Sequence, residues 1–240
     1  MKIALFGNGK MGQLVATQAR AAGHEIGEVI TSDSGATSLN DLSARLCGHD
    51  VAIDFTVAEA VERNVTACVY ARVPLVEGTT GWQSEQSGII RIVTDQGGAL
   101  IYGANFSVGV NLFYRVVARA GELFARSSDH APFIEEAHHQ QKRDAPSGTA
   151  LRLHDLLKER IEREIPIAST RAGSIPGTHR VGFDSAADQI LLTHTARSRA
   201  GFASGALLAA NWIVGREGVF EFSQMIDEMI GPIANCRMPI

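Results

Sequence analysis

The chain has 240 residues, of which 45% are hydrophobic and 20% are charged, and its formal net charge is −4 with neutral histidines. This length provides for one large domain or two modest ones, and the lack of a strongly basic run or of a long apolar run predicts that neither nucleic acid nor membrane is a partner. The three cysteines, Cys47, Cys68 and Cys236, are far apart and form no CxxC pair, which excludes a disulfide framework or a zinc knuckle and predicts a cytoplasmic protein.

The first hundred residues alternate short apolar runs with helix-like periodic stretches. The runs cover residues 2–6, 26–30, 51–56, 75–79 and 99–102, and the periodic stretches lie near residues 11–22, 57–71 and 83–95. Apolar runs without polar alternation are typical of strands that are buried on both faces. Their repetition with helices predicts right-handed crossovers and a doubly wound parallel sheet of the Rossmann type.

The pattern changes after residue 107. A long helix is predicted at 108–126, a strand at 131–137 and an amphipathic helix at 150–163, followed by strand-like segments at roughly 167–175, 178–184 and 188–198, a helix at 201–213 and a short helix near 222–230. The apolar stripe of the amphipathic helix consists of Ala150, Leu153, Leu157 and Ile161. In the last strand, Ile190, Leu192, His194 and Ala196 are predicted to point the same way.

This order of elements predicts an α/β chain with two domains. Residues 1–106 form the Rossmann domain, and a C-terminal segment at 216–240 packs back on it. Residues 107–215 form an α+β domain with an open mixed sheet, because their strands are grouped and do not alternate regularly with helices.

A glycine-rich sequence follows the first apolar run and opens the first predicted helix. It has GxGxxG spacing and consists of Gly7, Asn8, Gly9, Lys10, Met11 and Gly12. The first glycine permits a tight turn, the second lets a pyrophosphate approach the backbone, and the third lets the helix pack on the sheet. The start of the helix presents free N–H groups to phosphates. Because the motif stands between a strand and a helix, it predicts a bound nicotinamide dinucleotide more strongly than a glycine-rich turn without a ligand.

The end of the second strand usually decides between NADH and NADPH, because an acidic residue there binds the ribose hydroxyls. Thr31 occupies the position expected for the acid, Asp33 follows slightly later, and Glu28 is predicted within the strand. No arginine stands nearby to bind a 2′-phosphate, although Thr31 and Ser32 offer hydroxyl donors. NADH and NADPH therefore both remain possible cofactors.

Turns that follow later strands are further candidates for cofactor contacts, because open parallel sheets bind ligands at the carboxyl ends of their strands. One such turn is Asp54-Phe55-Thr56. The candidates in the next two turns are Gly78, Thr79, Thr80, Gly103, Ala104, Asn105 and Phe106. Taken singly, each turn is equally well explained as an ordinary connection.

A helix start with the features of an anion site follows the strand at 131–137. Pro146 and Ser147 provide the start, with Ser147 as the predicted N-cap. Gly148 and Thr149 then offer backbone N–H groups to an anion. This arrangement predicts a binding site for a carboxylate.

Titratable side chains precede that helix start. Lys142 adds a positive charge and a proton, and His138 and His139 titrate near neutral pH. A metal site formed by Glu136, His138 and His139 is one alternative, but adjacent residues of a strand point to opposite faces, which disfavours joint ligation. A solvated loop is another alternative. We therefore predict a catalytic segment without a metal.

The sequence EAHHxxKxDAPSGTA in this segment closely resembles the central motif of the 4-hydroxy-tetrahydrodipicolinate reductase (dihydrodipicolinate reductase) family. Further similar segments follow in order along the chain: GNGKMG, DFT, GTTGW, ANFSVGVN, RAGSIPGTH, LLTHTARSR and FASGAL. The resemblance implies an oxidoreductase of lysine and diaminopimelate biosynthesis that assembles as a homotetramer through its mixed sheet. It also implies NADH- or NADPH-dependent reduction of a small cyclic dicarboxylate, 4-hydroxy-tetrahydrodipicolinate, to tetrahydrodipicolinate with loss of water.

The resemblance also implies roles for individual residues. By motif position, His138 matches the catalytic histidine of the family and Lys142 its proton-donating lysine. The positions that match residues holding the substrate carboxylates are His139, Ser147, Gly148 and Thr149. The glycine loop and the turns at 78–80 and 103–106 match cofactor contacts, so the domain at 107–215 would bind the substrate and form the oligomer.

Two alternatives remain, another Rossmann oxidoreductase, such as a semialdehyde or amino-acid dehydrogenase, and a dinucleotide binder that is not an enzyme. An acylating semialdehyde dehydrogenase needs a nucleophilic cysteine, whereas Cys47 and Cys68 lie on predicted helices and Cys236 lies in the tail. A redox-sensing dinucleotide binder would keep the glycine loop but has no need for the two histidines and Lys142 before an anion-binding helix start.

Overall fold

The computed structural model describes residues 1–32 and 38–231. Asp33 and Cys236, considered above, lie outside these residues. The chain forms two compact units, the first from Met1–Val108 together with the described part of the chain from Ala200 onwards, and the second from Gly109–Arg199. No helix in the described ranges combines the length and the apolar character that crossing a bilayer requires.

The first unit contains a parallel sheet with helices on its faces. Its elements are β1 (Lys2–Phe6), α1 (Lys10–Ala21), β2 (Glu25–Ile30), α2 (Leu39–Leu46), β3 (Val51–Asp54), α3 (Ala58–Ala71), β4 (Leu75–Glu77), α4 (Gln86–Asp95), β5 (Ala99–Tyr102), α7 (Ala200–Ile213), β10 (Gly218–Glu221) and α8 (Phe222–Ile230). The strand order is β10-β5-β4-β3-β1-β2, and every pair is parallel. The predicted Rossmann-type sheet is confirmed.

Strand β2 differs from the prediction that it is buried on both faces. It lies at one edge of the sheet, and Glu25, Gly27 and Val29 are exposed. An edge strand has a neighbour on one side only, so its burial alternates although its sequence contains three apolar residues.

Helix α2 and strand β10 are present in the structure but were not predicted from the sequence. The helix begins at a capping box in which the Ser38 hydroxyl accepts a hydrogen bond from the N–H of Asp41 at 3.1 Å.

Helix α7 belongs to the first unit, whereas the sequence analysis assigned residues 200–215 to the second domain. Its small side chains, including Ala203 and Ala206, are fully buried in the core of the first unit. A Cβ at Gly205 would lie 1.7 Å from the carbonyl oxygen of Phe106, so this helix approaches the backbone more closely than a side chain permits. The first boundary, between Val108 and Gly109, lies within two residues of the predicted one.

The second unit contains a four-stranded mixed sheet with two helices. Its elements are α5 (Val108–Phe124), which begins at the boundary, β6 (Ala131–His138), α6 (Gly148–Lys158), β7 (Ile167–Arg171), β8 (Thr178–Asp184) and β9 (Gln189–Thr195). The strand order is β7-β6-β8-β9; β6 and β7 are parallel and the other pairs are antiparallel. The predicted open mixed sheet is confirmed.

One face of this sheet packs against the apolar stripe of α6. Ala150, Leu153 and Leu157 are fully buried there with Val181 and Phe183 of β8. The helix ends at Lys158 and not at 163, yet Ile161 continues the stripe and is also buried. The opposite face, here called the open face, is formed by exposed side chains that include Glu135, Ala168, Thr170, Arg180 and Leu191.

Candidate active site

The glycine loop in the first unit has the geometry that a pyrophosphate requires. Gly7 has a φ of +91°, and a Cβ at Gly12 would lie 2.2 Å from the carbonyl oxygen of Gly7, so both positions need glycine. At Gly9, by contrast, a Cβ would have no atom within 4 Å. Gly9 is also the N-cap of α1, with no side-chain capping bond. The side of the loop at Gly9 is therefore open, and its helix start suits a phosphate.

The other predicted cofactor turns follow β4 and β5. They lie, like the glycine loop after β1, at the carboxyl ends of the parallel strands. Gly78 and Gly103 are tightly placed: a Cβ would lie 2.2 Å from the Phe55 ring at the first position and 3.0 Å from the Phe222 Cβ at the second. Within these turns Thr80 and Ala104 are exposed, Asn105 is half-buried, and Thr79 and Phe106 are buried. We therefore expect the buried side chains of Thr79 and Phe106 to support the backbone of these turns and not to contact the cofactor directly.

Glu28, the strand residue weighed as a ribose-binding acid, forms an ion pair with Arg45 of α2. Its carboxylate is therefore already engaged. Ser32 is exposed after the end of β2, and Asp33 is outside the described residues. The described residues thus leave both NADH and NADPH open.

Strand β6 places Glu136 and His138 on the buried side of the mixed sheet. The two neighbouring strands complete a polar cluster around them, because Glu136 is the register partner of His179 on β8, and His138 is the register partner of Arg171 on β7. Glu136, His138 and His179 are all less than a tenth exposed. Ser147, at the start of α6, is the fourth buried member.

The Glu136 carboxylate is the centre of this cluster. Its Oε1 accepts hydrogen bonds from the Ser147 N–H at 3.0 Å, the Ser169 hydroxyl at 2.7 Å and Arg171 Nη2 at 2.7 Å. Burial raises the pKa of Glu136, but the hydrogen bonds from Ser147, Arg171 and Ser169 outweigh it and lower the pKa to about 2. Glu136 is therefore an anion at any pH above that value.

Both histidines of the cluster are neutral near pH 7. Burial lowers the pKa of His138, and the positive charges of Lys142 and Arg171 lower it further against the opposing effect of Glu136. Burial and the neighbouring His138 lower the pKa of His179 to about 4. His138 Nδ1 lies 3.0 Å from Glu136 Oε2, although the two atoms do not form a well-aligned hydrogen bond. The contact is electrostatic, and it favours a proton on Nδ1.

The loop after β6 brings further charge to the cluster. Lys142 Nζ lies 2.8 Å from Asp144 Oδ1, and Arg171 donates to the backbone carbonyl of Asp144. His139 is half-buried and is the next residue after His138 along the chain.

The start of α6 remains accessible beside these charges. Ser147 is its N-cap, with its hydroxyl accepting from the Ala150 N–H at 3.3 Å and lying 3.2 Å from His179 Nε2. The hydroxyl of Ser147 is thus occupied inside the protein. Gly148 is exposed, a Cβ there would meet no atom within 4 Å, and Thr149 is half-buried. A backbone hydrogen bond from Gly148 helps to lower the pKa of the exposed Asp144 carboxyl, so this helix start receives an anion within the protein and suits an anionic ligand that displaces it.

A metal could be held geometrically by Glu136, His138 and His179, whose ligand atoms lie within 4.8 Å of one another. This set replaces His139 of the sequence-based alternative with a histidine from the neighbouring strand. The local charge disfavours a cation, however, because Arg171 and Lys142 are both positive and the helix start adds a partial positive charge. The arrangement is better suited to a carboxylate-bearing ligand.

Sequence reasoning identified His138, His139, Lys142 and the start of α6, and the structure brings these together in the second unit. It did not identify Arg171 or His179 as members of the site. A signal for His179 was available: it stands at i−2 and i−4 from Val181 and Phe183, which are buried on the same face of β8. Arg171 had no such signal, because its role depends on the pairing of β6 with β7.

The sequence matches the family described as dihydrodipicolinate reductase. The N-terminal part of that family matches residues 1–106 and the C-terminal part matches residues 109–226. The 4-hydroxy-tetrahydrodipicolinate reductase of Christiangramia forsetii is 37% identical over 241 residues, covering 95% of this chain and 99% of the relative. The enzyme of that name from Neisseria gonorrhoeae is 30% identical over 264 residues, covering 94% of this chain and 97% of the relative.

Solved structures share the fold. The dipicolinate-bound dihydrodipicolinate reductase from Paenisporosarcina sp. TG-14 is 22% identical, with a TM-score of 0.77 over 92% of this chain and 97% of that chain. A probable dehydrogenase from Thermotoga maritima is 9% identical, with a TM-score of 0.62 over 94% of this chain and 93% of that chain. At these identities the structures support the fold alone.

Proposed function

Because the chain belongs to the dihydrodipicolinate reductase family, we propose that it reduces 4-hydroxy-tetrahydrodipicolinate to tetrahydrodipicolinate with loss of water, as a step of lysine and diaminopimelate biosynthesis. The first unit binds the dinucleotide, and the second unit binds the substrate. The observation that carries this proposal is the anionic Glu136, which links His138 of β6 to the open start of α6 through Ser147.

The substrate carboxylates are held at the start of α6. The backbone N–H groups of Gly148 and Thr149 point to that end of the helix, and His139 and Lys142 supply further donors nearby. Hydride addition to a conjugated imine increases negative charge on the ring. Donors that hold the carboxylates therefore stabilise the transition state more than the ground state.

Lys142 supplies the proton that the reduced ring takes up. Asp144 Oδ1 lies 2.8 Å from the Nζ of this lysine, which orients the ammonium group until the substrate competes for it. His138 stays neutral and is positioned by Glu136 on one side and Gly177 on the other, where a Cβ would lie 3.2 Å from its ring. A bound NADH or NADPH would supply the hydride, and the glycine loop fits either.

The mixed sheet is the proposed surface of a homotetramer. Its open face carries Leu191, which is 45% exposed, and an ion pair between Arg180 and Glu135 at 3.4 Å. Light scattering should give four chain masses, and a single chain mass at micromolar concentration would reject this assembly. We also propose a cytoplasmic location, which suits the free thiols Cys47 and Cys68.

An acylating semialdehyde dehydrogenase would need a nucleophilic cysteine, and Cys68 does not fit that role. Burial, together with the charges of Asp54 and Glu77, raises the pKa of this thiol well above its ordinary value, so it is a poor nucleophile. Cys47 is exposed at the end of α2, where its thiol contacts the Ser43 carbonyl.

The activity is tested by following the absorbance of reduced nicotinamide, with NADH and NADPH offered in turn. The substrate is made fresh from pyruvate and aspartate semialdehyde by the preceding enzyme. We expect oxidation that requires this substrate, and the ratio of kcat/KM for the two cofactors reports the preference. Dinucleotide binding without oxidation would instead favour the redox-sensing alternative.

Lys142→Ala tests whether the first unit binds the dinucleotide while Lys142 of the second unit serves only the reaction of the substrate. We expect turnover to fall by about 100-fold or more, because a general acid is lost, while dinucleotide affinity stays nearly unchanged. Arg143→Ala is the matched control, since Arg143 is an adjacent and exposed cation. A large loss of dinucleotide affinity in Lys142→Ala would contradict the assignment.

A further inference from the structure

Two carboxyl side chains without a role in the proposed reaction are buried side by side in the first unit. Asp54 ends β3 and Glu77 ends β4, and they are register partners on adjacent parallel strands. Both residues are 0% exposed. Register partners present their side chains on the same face of a sheet, so the two carboxyls meet directly before the turns that are predicted to contact the cofactor.

Polar but uncharged groups surround this pair. Asp54 accepts hydrogen bonds from Asn64 Nδ2 at 2.7 Å and from the Thr79 hydroxyl at 3.4 Å. Glu77 Oε1 accepts from the Thr79 N–H at 2.7 Å, whereas Glu77 Oε2 is buried and has no partner within the described part of the chain. Within residues 1–32 and 38–231, none of the hydrogen-bond donors to either carboxyl belongs to a lysine, an arginine or a histidine.

Cys68 of α3, Tyr102 of β5 and Glu221 of β10 are titratable groups on this side of the sheet, and none of them supplies a positive charge. Cys68 of α3 is buried, and burial together with the two carboxyls raises its pKa, so the thiol stays neutral. Tyr102 of β5 is the register partner of Glu77, and burial and the charge of Glu221 raise the pKa of its hydroxyl. Two ionised carboxylates here would therefore repel each other without a positive charge from these groups to offset the repulsion.

We propose that Asp54 and Glu77 share one proton, which Glu77 carries, and that this pair positions the cofactor turns. The hydrogen bonds to the two carboxyls indicate that the proton is on Glu77. Asp54 receives two side-chain donors, whereas Glu77 Oε2 receives none and gains a partner only by donating a proton to Asp54. Burial and then the charge of Asp54 raise the pKa of Glu77 well above its ordinary 4.5, which agrees with this assignment.

Thr79 transmits the effect of the pair to both turns. Its N–H is held by Glu77 and its hydroxyl by Asp54, and the same hydroxyl accepts the Thr56 N–H at 3.0 Å. Its carbonyl accepts Trp82 Nε1 at 2.8 Å. The turn after β3 and the turn after β4 are thus joined through one buried residue. Asp54 and Glu77 are positioning residues, and their effect on the dinucleotide rests on the proposed function, whereas the shared proton does not.

The shared proton is tested by the pH dependence of unfolding. Glu77→Gln keeps the shape and the donor of the neutral acid but has no proton to lose. In the wild type, the folded state retains a proton that the unfolded state releases above the ordinary pKa of 4.5. Stability relative to Glu77→Gln is therefore greatest below that pH. Above that pH, the unfolding equilibrium constant of the wild type relative to Glu77→Gln rises about tenfold per pH unit until the folded pKa is reached.

Urea unfolding from about pH 5 to pH 9 measures this difference. Glu85→Gln is the matched control, because Glu85 is an exposed carboxyl at the start of α4 and should follow the wild type. Parallel curves for wild type and Glu77→Gln would overturn the shared proton.

The positioning role is tested by dinucleotide titration, followed by fluorescence of the reduced nicotinamide. We expect Glu77→Gln to retain affinity within about twofold at pH 7, and Glu77→Ala to lose about tenfold, with kcat at saturating cofactor less affected than KM. Wild-type affinity in Glu77→Ala, or an equal loss in both variants, would overturn the positioning role. If the wild type itself binds no dinucleotide, the proposed function fails, and the unfolding comparison still decides the shared proton.

Discussion

Replacement of Glu136 by glutamine removes one charge from the centre of the candidate active site with little change of shape. The side chain is 0% exposed and accepts three hydrogen bonds at Oε1. Glutamine keeps an oxygen for these donors, but it loses the ion pair with Arg171, which is itself only 17% exposed. The variant therefore leaves a largely buried guanidinium without its counter-charge.

The size of the effect follows from the pKa of Glu136. Lowering it from 4.5 to about 2 corresponds to about 3 kcal/mol of folding free energy, at about 1.4 kcal/mol per pH unit. A carboxyl with a lowered pKa stabilises the folded state fully above its unfolded pKa and loses that contribution as the pH falls towards its folded pKa. The difference between wild type and Glu136→Gln should therefore be about 2 to 3 kcal/mol at pH 7 and should shrink between about pH 4.5 and pH 2.

Urea unfolding at pH 7 and at about pH 3 measures this difference. Glu122→Gln is the control, because Glu122 is an exposed carboxylate paired with Arg119 on α5, and its removal should change the urea midpoint little. Equal stability of Glu136→Gln and wild type at pH 7, or a difference that does not change with pH, would refute the central role of this charge. Turnover should also fall in Glu136→Gln, since His138 loses its neighbouring anion.

Two glycines provide further predictions. Gly9→Ala should change stability by no more than about 1 kcal/mol, because its methyl group meets no protein atom, but should lower dinucleotide affinity by about tenfold or more, because the methyl group lies where a phosphate approaches. Gly88→Ala, equally open on α4, should leave dinucleotide affinity unchanged, and titration with NADH distinguishes the two variants. Gly205→Ala should destabilise the protein by about 2 kcal/mol or more, because its Cβ would lie 1.7 Å from a backbone oxygen. Thermal unfolding measures this loss against Gly201→Ala, where the nearest atom is 3.6 Å away and little change is expected.

The net charge of −4 does not describe the field at the site. Within the second unit, Lys142 and Arg171 stand beside the start of α6, while the carboxylate of Glu136 is enclosed by its donors. An anionic ligand is therefore attracted by a local arrangement of donors. Such a field acts over a short range, since salt screens exposed charges beyond about 8 to 10 Å.

Local signals predicted the order and type of most elements. Strand β1, the glycine loop and α1 follow directly from the sequence, because a buried parallel strand needs an apolar run and the turn after it needs glycines at fixed spacing. The helix near 222–230 was predicted at the bounds it has as α8. The end of α6 at Lys158 was missed, because Ile161 continues the apolar stripe beyond the last helical residue.

The sequence by itself determined the class of each element, the glycine loop and the segment that carries His138 and Lys142, because these depend on neighbours along the chain. Only the tertiary structure decided which side chains from distant segments meet there. Arg171 and His179 join Glu136 because β7 and β8 pair with β6 in one particular register, and Glu77 meets Asp54 because β4 pairs with β3. Strand pairing is non-local, so the buried partners of a carboxylate, and hence its charge state, are fixed only when the sheet forms.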